Sequence, residues 1–199
     1  MDMLHSQNHI EMRNACIGIA GLGGLGSNIA MMLVRSGIRR FVLADFDIVD
    51  ESNLNRQHYF PEHLGRKKTE CIREQMLHLN PNLDLTVHDT KLTKDNMSAI
   101  FKDCCIVCEA FDQPDFKADL VAVLLSELPD TIVISGSGMA GIESANMIRT
   151  IQRMRRLYIC GDGVTDIGLG IRLTAPRVQI CAGHQANMVL RLLNGYTQP

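Results

Sequence analysis

Short apolar runs alternate with segments of helical periodicity along most of the chain. Runs of consecutive apolar residues predict buried strands, and apolar residues at three- and four-residue spacing predict helices. The predicted strands are residues 15–20, 40–45, 83–89, 105–111 and 131–135. The predicted helices are residues 25–36, 61–80, 114–128 and 176–194. Because strands that alternate with helices form a parallel sheet covered on both faces, we expect a doubly wound α/β fold.

The pattern changes after Gly141, where the runs ANMIRTI and LYIC follow each other with no helical segment between them. We expect two antiparallel strands at the later edge of the sheet. The glycine-rich segment 161–170 is expected to form a mobile surface loop. A length of 199 residues with 46% hydrophobic content suits one domain over residues 1–199, with no room for a second catalytic domain.

Composition excludes several classes of protein. The net charge of −2 gives no electrostatic footprint for nucleic acid as a main partner. No apolar run approaches transmembrane length, so we expect no membrane association. Seven cysteines without framework spacing, and no charged-then-apolar leader, predict a reduced cytoplasmic protein.

A glycine-rich turn follows the first predicted strand, in the run GIAGLGGLGS at residues 18–27. In such a turn Gly21 permits the tight bend, Gly23 lets the backbone approach a phosphate, and Gly26 allows close packing of helix and strand. Asp45 ends the next strand, where its carboxylate can accept both ribose hydroxyls. The motif predicts a Rossmann-like nucleotide site but leaves NAD and ATP open.

The segment after that acid favours ATP. The run DFDIVDESNLNRQ places polar side chains above the carboxyl ends of the strands, where ligands bind in such sheets. A hydride-transfer site has no evident use for them. Nucleotidyl transfer has one, because Arg56 with Lys67 or Lys68 can neutralise phosphate charge while an acid holds magnesium.

Four motifs in chain order, GLGGLGS, DFD, SNLNRQ and EAFDQPDFK, resemble those of the ThiF, MoeB and HesA family, bacterial relatives of the ubiquitin-activating enzymes. The resemblance runs from Ala15 to Gly195. Within the family, the segments YICGD, APRV and HQANMVLRLL are similar to those of the shorter, zinc-free ThiF-like proteins.

This resemblance implies roles for individual residues. The ATP site would be formed by Gly21, Gly23, Gly24, Gly26, Asp45 and Asp47. The phosphates would be contacted by Asn53, Arg56 and Lys68. Asp112 would coordinate Mg²⁺. Arg56, Lys68 and Asp112 would carry the catalysis, and Lys68 is preferred to Lys67 from the family's spacing of glycine and lysine.

The chain departs from the family pattern at three points. Many relatives hold zinc with two Cys-x-x-Cys pairs, whereas the later region here has only Cys160 and Cys181, so we expect no structural zinc. Cys105 and Cys108 form a Cys-x-x-Cys on a strand, where alternate residues face different ways. Residues 161–175 contain no cysteine for a covalent step. Arg13 is the one candidate for the arginine that relatives lend to a partner subunit.

The hypothesis that follows is ATP-dependent adenylation of the C-terminal carboxylate of a ubiquitin-like, ThiS-like sulfur carrier protein with a Gly-Gly tail, by a homodimer acting in thiamine biosynthesis. The alternatives are an NAD(P)-dependent oxidoreductase, a non-catalytic carrier-binding scaffold, and a tRNA threonylcarbamoyladenosine cyclase or dehydratase of the same family. The basic run of Arg149, Arg153, Arg155 and Arg156 is interpreted as a solvated strand edge rather than a contact for an acidic partner.

Overall fold

The computed structural model describes residues 14–165, 168 and 170–199. Its strands are β1 (Cys16–Ala20), β2 (Arg40–Asp45), β3 (Asp84–Asp89), β4 (Ile106–Glu109), β5 (Ile132–Gly136), β6 (Arg149–Met154) and β7 (Leu157–Gly161). Its helices are α1 (Gly24–Arg35), α2 (Lys68–Leu79), α3 (Lys94–Phe101), α4 (Pro114–Glu127) and α5 (Ala175–Leu193). Short 3₁₀ helices cover Glu51–Asn53, Pro61–His63 and Ala145–Met147. Arg13 and part of the glycine-rich segment 161–170 lie outside the described residues.

The strands form one seven-stranded sheet in the order β3-β2-β1-β4-β5-β7-β6. Every neighbouring pair is parallel except β6 and β7, which are antiparallel. The predicted α/β fold with an antiparallel later edge is therefore confirmed. The chain moves outward from β1 to β3 and then returns to β4 on the other side of β1. This reversal opens a crevice at the carboxyl ends of β1 and β4, where doubly wound sheets bind ligands.

Helices cover both faces of the sheet, which explains the unbroken apolar runs of the central strands. One core lies under α1, α2 and α5 and contains Ile17 and Ile19 of β1. The other lies under α3 and α4 and contains Cys16 and Ala20 of the same strand. The described part of the chain holds no helix long and apolar enough to span a bilayer.

The helix predicted for residues 61–80 is wrong in its first part, since a 3₁₀ turn at Pro61–His63 is separated from α2. Residues 48–49 pair with residues 65–67: the Val49 amide donates to the Arg66 carbonyl and the Gly65 amide to the Val49 carbonyl, each at 2.9 Å. Gly65 has φ +76°, which a helix does not allow. This pairing fixes the point at which α2 begins, and with it the position of Lys68.

No element was predicted for residues 94–101, where α3 lies. Only Met97 and Phe101 of this eight-residue helix are buried, so its apolar pattern is too short to stand out.

The four arginines of the basic run were all predicted to lie on a solvated strand edge, but only three of them do. Arg149, Arg153 and Arg155 are exposed on or beside the edge strand β6. Arg156 is used inside the fold, where it donates to the Leu125 and Leu128 carbonyls at the end of α4 and to the Thr131 carbonyl just before β5.

Helix α1 starts directly against the end of β1. A Cβ atom on Gly26 would lie 1.9 Å from the Gly21 carbonyl oxygen, a distance at which no side chain fits. Gly21 itself has φ +91° and donates its amide to the Ala44 carbonyl of β2 at 2.8 Å. Glycine at position 26 is therefore required for the helix to begin where it does.

We expect Gly26→Ala to destabilise the protein by several kcal/mol, on the order of the larger single-substitution effects, because α1 must move away from β1. Gly183→Ala is a matched control, since Gly183 lies in α5 and a Cβ there meets nothing within 4 Å. That variant should gain up to about 1 kcal/mol from helix propensity. Urea unfolding of both variants measures the difference, and equal stabilities would refute the steric argument.

Candidate active site

A pocket of about 460 Å³ lies at the carboxyl ends of the strands. Its walls come from the glycine turn, the end of β2, the β4–α4 turn, the loop after β5, residues 163–165 and the start of α5. Of the predicted site residues, the pocket brings together Gly21, Gly23, Gly24, Asp45, Asp47, Arg56, Lys68 and Asp112. A volume of this size is typical of a small-ligand site.

The amino end of α1 points into this pocket without a partner. No side chain caps the helix, and its first turn contains no acidic residue in the described structure. A Cβ on Gly23 would meet only the Gln57 amide nitrogen, at 3.8 Å, so protein packing does not require glycine there. Free amides and the helix dipole suit such a terminus to binding an anion, and the phosphate site predicted from the glycine motif stays a prediction that this geometry fits.

Asp45 joins the glycine turn to the end of β2. Its Oδ2 accepts from the Leu22 amide at 2.6 Å, and its Oδ1 accepts from the Asp47 amide at 2.7 Å. Burial raises the pKa of this carboxyl above its ordinary 3.8, while the nearby Lys68 ammonium and the two amides oppose the shift. Each carboxylate oxygen can accept a further hydrogen bond, so a ribose contact remains available.

The loop that carries Arg56 is held by α1. Ser27 accepts from the His58 amide at 3.0 Å, and Asn28 donates to the Arg56 carbonyl at 3.1 Å. The Tyr59 hydroxyl donates to the Leu22 carbonyl at 2.8 Å. These contacts place Arg56 beside the glycine turn, and its buried Nε has no partner among the described residues.

Asn53 is the predicted phosphate ligand that the structure does not bring into the pocket. Its Oδ1 accepts from the Asp50 amide at 3.1 Å, so the side chain closes the first turn of the loop. A role in shaping the loop fits this position. The phosphate contact stays a prediction without support from the geometry.

The two neighbouring lysines point to different places. Lys68 lines the pocket with a side chain only 7% exposed, and its Nζ lies 2.7 Å from Asp47 Oδ2. Lys67 lies outside the pocket lining, with its Nζ 3.3 Å from Asp89 Oδ1. The geometry therefore favours Lys68 over Lys67 as a ligand for phosphate.

Asp112 is exposed at the pocket, in the turn between β4 and α4. Two charged residues of the EAFDQPDFK motif lie beside it, and the sequence alone predicted no role for them. Glu109 is completely buried at the end of β4, and Lys117 reaches it from α4, with its Nζ 3.0 Å from Glu109 Oε2. The signal available in the sequence was an acid at the end of an otherwise apolar strand.

The cysteines do not add a reactive centre. Burial raises the pKa of the Cys160 thiol to about 11, although a hydrogen bond from Thr150 opposes the shift. Cys108 is buried and Cys105 is exposed, so their Cys-x-x-Cys does not present two thiols to one ligand. No group of three possible metal ligands occurs among the described residues. The expectation of no structural zinc stays a prediction, which elemental analysis can check.

A model of the ThiF family matches residues 4–199 of the chain. The chain belongs to the ThiF family. This confirms the resemblance that was drawn from the glycine turn, the DFD and SNLNRQ motifs and the turn that carries Asp112.

Individual relatives agree with this membership. The molybdopterin-synthase adenylyltransferase of Salmonella typhimurium is 26% identical over 196 residues, covering 94% of this chain and 76% of that protein. Ubiquitin-like modifier-activating enzyme 5 of Caenorhabditis briggsae is 36% identical over 87 residues, which are 44% of this chain. The match spans only 20% of that enzyme's length.

Solved structures share the fold. The E. coli tRNA N6-threonylcarbamoyladenosine dehydratase in complex with ATP aligns with a TM-score of 0.85 at 21% identity. The alignment covers 94% of this chain and 88% of that chain.

In this ThiF-family chain a buried ion pair lies behind one wall of the pocket, next to the lining residues Gly163 and Val178. Arg177, in the first turn of α5, pairs with Asp162, which follows β7; their side chains are 3% and 0% exposed. Arg177 also donates to the Ser144 carbonyl at 2.8 Å, and Asp162 accepts from the Val164 amide at 2.8 Å. The pair thereby ties the loops after β5 and β7 to α5.

The pKa of Asp162 reflects two opposing effects. Burial favours the neutral carboxyl, but hydrogen bonds from the Thr165 and Val164 amides, the Thr165 hydroxyl and Arg177 outweigh it. They hold the pKa of Asp162 below its ordinary 3.8. The ionised form therefore stabilises the folded state above that pH, and this contribution is lost as pH falls through the folded-state pKa.

We expect Asp162→Asn to lower stability at pH 7 by about 3 kcal/mol, because it leaves Arg177 buried without its counter-ion. The deficit should shrink as the pH falls from the ordinary carboxyl pKa of 3.8 through the lower folded-state pKa of Asp162, where the wild-type carboxyl becomes protonated. Asp84→Asn is the control, since the Arg40–Asp84 pair is 50% and 69% exposed and contributes at most about 1 kcal/mol. Unfolding curves at several pH values test this, and a deficit independent of pH would contradict it.

Proposed function

We propose that this chain is an adenylyltransferase that activates the C-terminal carboxylate of a ubiquitin-like sulfur carrier protein with ATP and releases pyrophosphate. The observation that carries the proposal is convergence in one pocket. A helix terminus with free amides, the cations of Arg56 and Lys68, and the Asp112 carboxylate come from segments that are separate in sequence, and they line the same cavity. An oxidoreductase that binds NAD would need the glycine turn and Asp45 but not this cluster.

The relatives support an adenylyl transfer. The Salmonella typhimurium protein is named an adenylyltransferase, and the E. coli dehydratase of the same fold is described in complex with ATP. The Caenorhabditis briggsae relative is named an activating enzyme for a ubiquitin-like modifier. A carboxylate at the end of a ubiquitin-like protein is therefore our proposed acceptor.

In the proposed reaction a carboxylate oxygen of the carrier tail attacks the α-phosphorus of ATP. The bond from that phosphorus to the oxygen bridging to the β-phosphate breaks, and pyrophosphate leaves with the electron pair. The chain's residues contribute charge and alignment. Lys68 has three donors and uses one on Asp47, so two remain for phosphate oxygens. No general base is needed, because the carboxylate is already ionised at neutral pH.

Asp112 fits a magnesium ligand. Its carboxylate is exposed at the pocket and forms no ion pair within the described part of the chain. Mg²⁺ is commonly held by one or two carboxylates together with substrate phosphates. When bound, the ion would neutralise phosphate charge that Arg56 and Lys68 do not reach.

The carrier is proposed to bind over the later strands. Ile151 and Met154 on β6 are 44% and 61% exposed, and Val164 at the pocket rim is 72% exposed. These apolar groups suit a protein partner whose extended Gly-Gly tail enters the pocket. From the resemblance to short ThiF-like proteins we further propose a ThiS-like carrier of thiamine biosynthesis and a homodimeric enzyme.

A tRNA-directed reaction is the second candidate. The observation that favours it is the exposure of Arg149, Arg153 and Arg155 along one edge of the sheet, where they could contact phosphates. The net charge of −2 and the exposed apolar groups of the same edge favour the carrier instead.

ATP with magnesium should raise the melting temperature, whereas NAD should not, because the cluster beside the glycine turn is built for a triphosphate. At a ligand concentration of about 100 Kd the expected gain is roughly 2.7 kcal/mol. Differential scanning fluorimetry with each nucleotide makes the comparison. Stabilisation by NAD alone would overturn the adenylation proposal.

Carrier-dependent exchange of pyrophosphate into ATP should fall by about a hundredfold or more in Lys68→Ala, Arg56→Ala and Asp112→Ala, the scale for losing a preorganised electrostatic contact. Lys67→Ala is the matched control, as the adjacent lysine lies outside the pocket lining and should retain near-normal exchange.

Melting curves are the check that each variant is folded. Near-normal exchange in all three pocket variants would place ATP elsewhere. Exchange stimulated by tRNA but by no carrier would favour the second candidate.

A further inference from the structure

The Glu109 carboxylate lies beside the pocket and accepts hydrogen bonds from three residues. Its Oε1 accepts from the Phe111 amide at 2.6 Å, and its Oε2 accepts from the Ser135 hydroxyl at 2.5 Å. The Lys117 ammonium lies 3.1 Å from Oε1 and 3.0 Å from Oε2. The side chain has no solvent exposure. A buried charge is tolerated only with partners of this kind.

Lys117 is not a free cation for phosphate, although it lines the pocket. Its Nζ donates to both oxygens of Glu109 and, at 3.1 Å, to the Gly136 carbonyl of β5. An ammonium group has three donors, and all three are used. Lys117 therefore serves as the counter-ion of Glu109, and its charge is already neutralised.

The contacts of Glu109 hold together the backbone that surrounds Asp112. Backbone pairing of β4 with β5 ends at Cys108 and Ile134. One residue further on, the Ser135–Glu109 hydrogen bond continues the connection through side chains. The bond to the Phe111 amide fixes the residue immediately before Asp112, and the bond to Lys117 fixes α4 after it. Asp112 thus sits in a turn restrained on both sides by one carboxylate.

Stability alone does not account for this ion pair. Buried ion pairs contribute little net stability, and replacing both partners by apolar residues of similar size is often neutral. An apolar residue at position 109 would leave the Phe111 amide without an acceptor. The turn that carries Asp112 would then lose the hydrogen bond that fixes its orientation.

We propose that Glu109, with Lys117 as its counter-ion, is a positioning residue that holds Asp112 in the orientation needed to bind magnesium beside ATP. The inference rests on the proposed function, since it concerns the same site. It adds that the magnesium contact is set by a carboxylate that touches neither the metal nor the nucleotide.

The test compares the Kd of ATP measured with magnesium and with EDTA, by calorimetry on the full chain. Glu109→Gln replaces one carboxylate oxygen by an NH2 group, which cannot accept from both Ser135 and Lys117, so the turn loses the restraints from β5 and α4. It should therefore reduce the benefit of magnesium about tenfold or more, the usual cost of losing a group that orients a metal ligand, while ATP binding in EDTA stays unchanged. The double variant Glu109→Gln with Asp112→Ala should be no worse than Asp112→Ala alone, because both act through one contact.

Two further variants make the result decisive. Glu109→Leu with Lys117→Met removes the ion pair without leaving a buried charge, so it provides a folded protein if Glu109→Gln does not, and it should show the same loss. Thr131→Val is the control for a general loss of stability. Thr131 is 3% exposed and donates to the Cys104 carbonyl at 2.8 Å, away from the pocket lining. It should leave the magnesium benefit unchanged.

The outcomes separate two failures. If Asp112→Ala keeps the full benefit of magnesium, the metal assignment in the proposed function is wrong and the positioning role falls with it. If Asp112→Ala loses the benefit but the Glu109 variants keep it, only the positioning role is overturned. Additive losses from Glu109 and Asp112, or an equal loss in Thr131→Val, would overturn it as well.

Discussion

The close approach of α1 to the end of β1 is the constraint on which the pocket depends. Only hydrogen fits between Gly26 and the Gly21 carbonyl, so the helix begins directly beside the crevice of the sheet. Its amino terminus then faces the ligand space, and its first turns also hold the next loop. Ser27 and Asn28 hydrogen-bond that loop, which places Arg56 next to the free amides. One steric fact thereby positions both a helix terminus and a cation.

The charges around the pocket are arranged in pairs with different degrees of burial. Arg177 and Asp162 are almost completely buried, and they join loops into a wall. Glu109 is buried while Lys117 is 21% exposed, and this pair restrains the turn of Asp112. Lys68 is buried against an Asp47 side chain that is 47% exposed. Because burial strengthens electrostatic interactions, the first two pairs hold their partners firmly and serve structure. In the third pair the partner Asp47 is exposed, so Lys68 has donors left that a phosphate can use.

The sequence predicted the secondary structure correctly wherever the apolar pattern was long. Central strands covered on both faces give unbroken apolar runs, so β1, β2, β4 and β5 were predicted close to their observed positions. The pattern failed where tertiary contacts decide the conformation. The segment before α2 is a 3₁₀ helix and a turn because residues 65–67 pair with residues 48–49, and α3 buries only Met97 and Phe101. Neither the pairing of residues 65–67 with residues 48–49 nor two buried residues in α3 produce a periodic apolar pattern in the sequence.

For the site, the sequence by itself determined the kinds of group present: a glycine turn after a strand, an acid ending the next strand, and a polar loop with arginine and lysine near it. The family membership followed from the order of those motifs. Only the tertiary structure decided which groups share the pocket. Lys68 lines the pocket, whereas Lys67 and Asn53 lie outside its lining. Glu109 and Lys117 form an ion pair with each other. The physical reason is that a side chain's direction depends on contacts between segments distant in sequence, which local spacing does not encode.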